Sequence, residues 1–294
     1  MKEALLYKRG LGTQGQNIQC EVCNHQCLIF PGGRGICGVR ENQDGKLYAL
    51  NYGKVIAAHI DPIEKKPLYH FLPGTFSYSI ATVGCNFKCL HCQNADISQY
   101  TKEWGGEIIG DELLPEQVVK NAIKYNCPSI SYTYTEPTIF LEYALDTMKL
   151  ANQKGLKNVW VTNGYMSDKT LKLIKPYLDA ANVDLKSFSD EFYKRVCGAR
   201  LQPVLDNLIK IKKAGIHLEV TTLIIPGEND SEKELKQIAG FVVEKLGADT
   251  PWHVSRFFPA YKMNNLPPTP VEKIYQAVEI GKKTGIKYVY AGNV

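Results

Sequence analysis

From residue 77 onward, short runs rich in β-branched and aromatic residues alternate with amphipathic helical stretches, and this alternation leaves few folds open. The runs Ser77–Thr82, Ser129–Tyr134, Asn158–Thr162, Asn182–Lys186, His217–Ile225, Trp252–Phe257 and Lys287–Tyr290 predict strands. Between them, Pro115–Tyr125 places Val118, Val119, Ala122 and Ile123 on one helical face. Thr138–Gln153, Asp168–Leu178, Pro203–Ala214, Ser231–Leu246 and Pro270–Thr284 follow the same pattern. Asp168, Ser231 with Glu234 three residues on, and Pro270 are start signals; Lys154-Gly155 and Ala214-Gly215 are stops. Strands joined by helices are parallel strands with crossover connections. The expected fold is α/β, a partial (β/α)6 barrel of the TIM type, with a doubly wound open sheet as the alternative. No Gly-x-Gly-x-x-Gly follows the first strand, which argues against a dinucleotide site. In such barrels chemistry gathers at the C-terminal ends of strands.

Residues 1–76 differ from the rest, with four cysteines, many glycines and no helical pattern after the first ten residues. They are expected to form a cysteine-rich metal-binding module with its connection, ahead of a barrel at residues 77–294. Val55–His59 and Leu68–Phe71 are candidate short strands. The balance of 35 Lys and Arg against 30 Asp and Glu comes without a basic run, so no nucleic-acid partner is expected. No apolar run reaches the roughly 18 residues of a membrane span, so no membrane role is expected either. The N-terminal Met-Lys-Glu-Ala-Leu-Leu-Tyr-Lys-Arg-Gly lacks the apolar core of a secretory signal, and the expected compartment is the cytoplasm.

Seven of the nine cysteines fall into two clusters, and in a reducing compartment close-spaced thiols are more often metal ligands than disulfides. The second cluster lies directly after the first predicted strand, as Cys85-Asn-Phe-Lys-Cys89-Leu-His91-Cys92. Three thiolates on one loop hold three corners of a [4Fe–4S] cube and leave one iron open, the arrangement catalysis needs. This loop resembles the cluster motif of radical SAM enzymes. The resemblance implies a [4Fe–4S] cluster on Cys85, Cys89 and Cys92 whose open iron is chelated by S-adenosylmethionine (SAM). It also implies reductive cleavage of SAM to a 5′-deoxyadenosyl radical that abstracts hydrogen from substrate. No catalytic side chain beyond the cluster and SAM is implied.

Later strand ends fit the same resemblance. Ser131-Tyr-Thr-Tyr-Thr-Glu136-Pro137 keeps the glutamate of the family's Gly-Gly-Glu but has Tyr134 and Thr135 for the glycines. Gly105-Gly106-Glu107 follows no strand and reads as a turn. Thr162-Asn163-Gly164 and Asp184-Leu-Lys186 resemble glycyl-radical-enzyme activases, which implies His91, Glu136, Asn163, Asp184 and Lys186 around the cofactor. Those activases carry an Asp where this chain has Val161, which speaks against their monovalent-cation site. Strand five, Glu219 to Gly227, would supply an apolar wall for adenine. His253 and Arg256 are three apart, so at most one faces inward; Arg256 is the candidate partner of the SAM carboxylate. Cys197 is a candidate lining residue, Cys127 a buried one, and His59, His70 and His217 are expected to be packed or solvated. Tyr132, Tyr134, Tyr165, Phe257, Phe258 and Tyr261 are candidates for an aromatic rim facing a peptide or flat apolar substrate.

Several stretches resemble one branch, the AmmeMemoRadiSam system enzymes: Asp61-Pro-Ile-Glu-Lys-Lys-Pro-Leu-Tyr-His70, Ser131 to Pro137, and His253-Val-Ser-Arg256-Phe-Phe-Pro-Ala-Tyr261. Cys20-x2-Cys23-x-His25-x-Cys27 with Gly35-Ile-Cys37-Gly-Val-Arg40 fits the same branch. The resemblance implies MEMO-like and AMMECR-like partner proteins and a reductant such as flavodoxin or ferredoxin. Members of the branch usually continue past the equivalent of Val294, so the chain is expected to be shortened. Cys20, Cys23, Cys27 and Cys37 suit a second site, either tetrahedral zinc or an iron–sulfur cluster, and the spacing leaves both open. The rival from outside catalysis is an iron–sulfur electron carrier, which has no use for Glu136 or Asn163.

Overall fold

The structure, a computed structural model, describes residues 1–9 and 16–294. Its centre is an eight-stranded sheet whose strands lie side by side in chain order. They are β1 (Ala57–Pro62), β2 (Phe76–Ala81), β3 (Ser129–Tyr132), β4 (Lys157–Thr162), β5 (Ala180–Asp184), β6 (His217–Ile224), β7 (Trp252–Arg256) and β8 (Val289–Gly292). β1 runs antiparallel to β2, and every later pairing is parallel. Six helical crossovers join β2 to β8, and β1 and β8 do not pair with each other. A partial barrel therefore forms, with helices outside.

Local signals place the crossovers. Ser167 and Ser231 accept hydrogen bonds from the backbone N–H groups of Thr170 and Glu234 and cap helices Asp168–Ile174 and Glu232–Phe241. Helix Pro115–Lys124 opens on its proline, and helix Val271–Thr284 ends at Gly285 with φ +110°. Val118, Ala122, Leu208, Ile211, Ile238 and Ile274 are fully buried, so the apolar helix faces pack on the sheet.

The barrel contains more of the chain than the alternation predicts, because β1 comes from before residue 77. The expected strand at Leu68–Phe71 does not form. That segment crosses the N-terminal end of the barrel, where Ile63 and Leu68 are buried against Val159 and Ala180. The N–H groups of Tyr69 and His70 are taken by the Glu219 carboxylate at 3.1 and 2.8 Å, so no ladder is needed to satisfy them. Asn182 Nδ2 donates to the Pro67 carbonyl at 2.7 Å. The base is thus plugged and the C-terminal end stays open.

The N-terminal module consists of two small antiparallel sheets. One joins Lys2–Glu3, Lys46–Ala49 and Arg40–Gln43; the other joins Tyr7–Arg9, Ile18–Cys20 and Leu28–Ile29. It is tied to the barrel by a buried ion pair, Arg40 Nη2 to Glu142 Oε2 at 2.6 Å, with Glu142 on helix Leu141–Gln153. No helix among the described residues is long and apolar enough to cross a membrane.

Candidate functional site

β2 runs into the three-cysteine loop through Gly84, at φ +98°. A Cβ there would lie 2.7 Å from Val39 Cγ1 and 2.8 Å from the Cys37 carbonyl oxygen. Only glycine lets the loop rest directly on the N-terminal module. The loop is held by its backbone: the N–H groups of Lys88 and Leu90 donate to the carbonyls of Cys197 and Val196 at 2.8 and 3.0 Å. Lys102 Nζ and Gln99 Nε2 donate to the Phe87 carbonyl at 2.7 and 3.2 Å.

Cys85, Cys89 and Cys92 line one cavity of ≈ 360 Å³ at the C-terminal ends of the parallel strands. The same cavity is lined by His91, Glu136, Asn163, Asp184 and Lys186. Three thiols on one wall, facing a polar cavity with no fourth cysteine among its lining residues, are a donor set suited to a cluster with one open iron. His91 is buried with Nδ1 lacking a partner, so a polar group at the cluster edge would find a donor or acceptor there. Burial, and then the charge of Lys186, pull the His91 imidazole down to about 3, so it is neutral. Cys197 is fully buried and does not line the cavity; this neighbouring thiol and burial both push the Cys89 thiol up. Cys127 is buried, as expected.

Glu136 is buried and accepts four hydrogen bonds. Oε1 takes the Thr138 N–H and hydroxyl at 3.0 and 2.5 Å and the Thr162 hydroxyl at 2.7 Å; Oε2 takes the Asn163 N–H at 2.8 Å. Burial raises its pKa and these donors oppose the rise. Two residues earlier, Tyr134 adopts φ +60°, the left-handed conformation that glycine would supply without strain. Its hydroxyl bonds Asp61 and its ring lies 4.4 Å from Lys66 Nζ. Asn163 Nδ2 donates to Asn86 Oδ1 at 2.7 Å, which couples the end of β4 to the cysteine loop. Lys186 Nζ pairs with Asp184 Oδ2 at 2.8 Å. Burial draws the lysine pKa down, but Asp184 and the nearby thiols outweigh it and hold the ammonium well above its usual range. Val161, an uncharged side chain, lines the same cavity.

Several expectations fail for clear reasons. Arg256 is not brought to the cavity: its Nε donates to the Thr269 carbonyl at 2.6 Å and its guanidinium lies 4.9 Å from the Phe258 ring. Strand alternation sends its neighbour Ser255 inward and Arg256 out. His253 faces inward but at the base, bonded to Glu219 at 2.6 Å. His217 joins the same carboxylate at 3.0 Å. Of the six aromatic rim candidates only Tyr134 lines the cavity; Tyr132, Tyr165 and Phe257 are buried elsewhere and Phe258 is exposed. Glu107 is exposed and outside the cavity. Lys65, Lys66, Thr221, Leu223 and Ser255 also line it and were not singled out. Alternation along β6 and β7 carries the signal for the last three, whereas the two lysines arrive through the plug segment, which no periodicity marks.

The four N-terminal cysteines also converge. Cys20, Cys23, Cys27 and Cys37 border a second, enclosed cavity together with Arg40, Asn86 and Ile139. His25 borders it too, with Nε2 bonded to the Asn86 carbonyl at 2.8 Å.

Comparison with known proteins agrees with this geometry. Residues 79–239 match the Radical SAM superfamily. An uncharacterized protein of Methanocaldococcus jannaschii is 48% identical over 294 residues, covering 100% of this chain and 86% of that one. The (2S)-3-sulfopropanediol dehydratase activating enzyme of Klebsiella oxytoca is 23% identical over 239 residues, covering 81% of this chain and 72% of its own. The pyruvate formate-lyase-activating enzyme of Clostridium pasteurianum is 23% identical over 165 residues, 54% of this chain and 66% of its own. Among solved structures, a radical SAM methyltransferase from Sphaerobacter thermophilus superposes with a TM-score of 0.56 at 14% identity, covering 76% of this chain and 68% of that one. The fold, the cysteine loop and the family match lead to one assignment: the chain belongs to the radical SAM superfamily.

Proposed function

We propose that this protein cleaves SAM reductively at a [4Fe–4S] cluster held by Cys85, Cys89 and Cys92, as an enzyme of the AmmeMemoRadiSam type. The observation that carries the reading is the single cavity shared by these three thiols with His91, Glu136, Asn163, Asp184 and Lys186. When bound, the reduced cluster supplies the electron that breaks the SAM sulfonium and yields a 5′-deoxyadenosyl radical. The chain's own residues position the cofactor and keep it dry. Glu136 presents a buried carboxylate edge for the SAM ammonium, Asp184 and Lys186 border the far wall, and Leu223 offers an apolar surface for adenine. The plug below them keeps the base closed to water. All nine cysteines are free thiols, which suits a reducing, cytoplasmic setting and electron delivery by a flavodoxin or ferredoxin.

The branch assignment rests on the stretches Asp61–His70, Ser131–Pro137 and His253–Tyr261 and brings with it MEMO-like and AMMECR-like partner proteins. A glycyl-radical-enzyme activase is the second reading, favoured by the 23% identity to two activating enzymes. The test is anaerobic incubation with dithionite and SAM. 5′-Deoxyadenosine should form in the wild type and not in Cys89→Ala. Deuterium transfer into 5′-deoxyadenosine from a labelled candidate partner protein then separates the branch from an activase; no SAM cleavage at all would leave only an electron carrier.

A further inference from the structure

We propose that Cys20, Cys23, Cys27 and Cys37 hold a single zinc ion, closed by four thiolates, that braces the N-terminal module against the Cys85–Cys92 loop. The thiols come from two turns. The Cys20 N–H donates to the Cys27 carbonyl at 2.9 Å and the Gln26 N–H to the Cys23 carbonyl at 3.1 Å, so one hairpin presents three of them. The Gly38 N–H donates to the Gly35 carbonyl at 2.9 Å and shapes the turn that carries Cys37. All four side chains border one enclosed cavity.

The size of that cavity selects the occupant. It has room for about one water-sized sphere, which suits one ion and is too small for a cube of iron and sulfide. No carboxylate borders it, and a set of four thiolates favours a tetrahedral cation, zinc ahead of iron(II). Among the described residues no three His, Cys, Asp or Glu side chains already sit at ion-binding distance. Binding therefore draws the sulfurs inward, by rotation about their Cα–Cβ bonds.

The lining around the thiols has the matching chemistry. Arg40 Nε and Asn86 Nδ2 are buried N–H donors with no partner, and both residues border the cavity. Four thiolates around a divalent cation make an anionic centre whose sulfurs can accept both. The Arg40 guanidinium brings opposite charge and is held in place by Glu142 at 2.6 and 3.1 Å. Val22, Ile36 and Ile139 complete an apolar wall.

The position of the hairpin gives the ion its task. Between Cys23 and Cys27, the Asn24 N–H donates to the Tyr165 carbonyl at 3.0 Å and its Nδ2 to the Met166 carbonyl at 2.6 Å. His25 Nε2 bonds the Asn86 carbonyl at 2.8 Å. Asn86 follows Cys85, and Tyr165 lies two residues beyond Asn163. The segment thus touches both the cysteine loop and the end of β4, and an ion gripped by its two ends keeps it in that shape.

The test uses the full chain, reconstituted anaerobically with iron, sulfide and zinc together. Metal analysis should find about one zinc per chain, with four sulfurs at roughly 2.3 Å by zinc-edge X-ray absorption. The Cys85→Ala/Cys89→Ala/Cys92→Ala variant should keep this zinc. Failure of the SAM-responsive cluster alone would therefore count against the function proposed above and leave this inference standing. His25→Ala should keep the zinc with its four sulfurs. Cys27→His should keep it with three sulfurs and one nitrogen. Cys20→Ser/Cys23→Ser should lose it and show about tenfold faster amide exchange at Asn86–Lys88 and Tyr165–Met166, while Cys27→His stays near wild type. Iron in place of zinc in the triple-alanine variant overturns the proposal, as does a nitrogen or oxygen ligand in the wild type. Unchanged exchange in the zinc-free double variant overturns the bracing role.

Discussion

Glu136 Oε2 accepts the backbone N–H of Asn163 at 2.8 Å, so a carboxylate from the end of β3 fixes the end of β4 beside the cysteine loop. The same Asn163 reaches Asn86 through its side chain at 2.7 Å. The end of β3, the end of β4 and the cysteine loop are therefore mechanically linked through one buried acid.

Glu136→Ala should weaken SAM binding and leave iron content intact. Loss of a charge-assisted hydrogen bond of about 1.5–3 kcal/mol corresponds to roughly 10- to 150-fold in affinity, measured by calorimetry under anaerobic conditions. It should also lower the urea midpoint, because the donors on Thr138, Thr162 and Asn163 lose their acceptor. Glu107→Ala should change neither quantity, since Glu107 is exposed. The opposite ranking would reverse the assignment of the Gly-Gly-Glu equivalent.

Cys197→Ala should keep the cluster and lower its midpoint potential. Cys197 lies beside Cys89, and its S–H turned toward a cluster-bound Cys89 thiolate would stabilise the more negative, reduced state. A hydrogen bond of about 0.5–1.5 kcal/mol corresponds to roughly 20–60 mV for one electron, within reach of an EPR-monitored redox titration. Loss of iron in this variant would instead make Cys197 a ligand.

Much of this arrangement is legible in the sequence because it rests on local chemistry. The period of strands and helices, the cap residues and the C-x3-C-x2-C loop each declare themselves within a few residues. What stays hidden depends on which side of the sheet a residue takes and on segments that cross the barrel. Arg256 follows an inward Ser255 and so points out, which a spacing of three from His253 leaves undecided. Lys65 and Lys66 reach the cavity only because Glu219 and Asn182 tie the segment after β1 across the base. The aromatic candidates sit near strand ends in the sequence, but Tyr132 and Phe257 lie on the outer face of the sheet or beneath it, buried in the core.

Acid should weaken the barrel through Glu219. Burial would raise its pKa, but His217, His253 and the N–H groups of Tyr69 and His70 hold it at about 2, below the ordinary value of 4.5. A depressed folded-state pKa contributes stability that is present above about 4.5 and is lost as the pH falls toward 2. The contribution is on the order of 3 kcal/mol. Urea unfolding of the wild type should therefore lose that much between pH 6 and pH 2 (a window of about four pH units) relative to Glu219→Gln, which cannot titrate. Equal acid sensitivity in the two proteins would remove Glu219 as the cause.

The last prediction separates two cations that the sequence leaves equivalent. Lys186 borders the cavity, paired with Asp184 at 2.8 Å, while Arg256 spends its guanidinium on the Thr269 carbonyl at 2.6 Å on the other side of the sheet. Lys186→Met removes a positive charge from the cavity wall and leaves the Asp184 carboxylate uncompensated there. SAM affinity should fall about tenfold or more, as expected for a lost charged contact of about 1.5 kcal/mol or greater. Arg256→Met removes the hydrogen bond to Thr269 and the guanidinium's contact with the Phe258 ring, both outside the cavity. It should cost about 1 kcal/mol of stability and leave SAM affinity within about twofold of wild type. Both are read in one experiment, SAM titration of the reconstituted cluster alongside urea unfolding of each variant. If Arg256→Met weakens SAM binding as much as Lys186→Met, the cofactor carboxylate is held from β7 and the inward wall of β5 is not its partner.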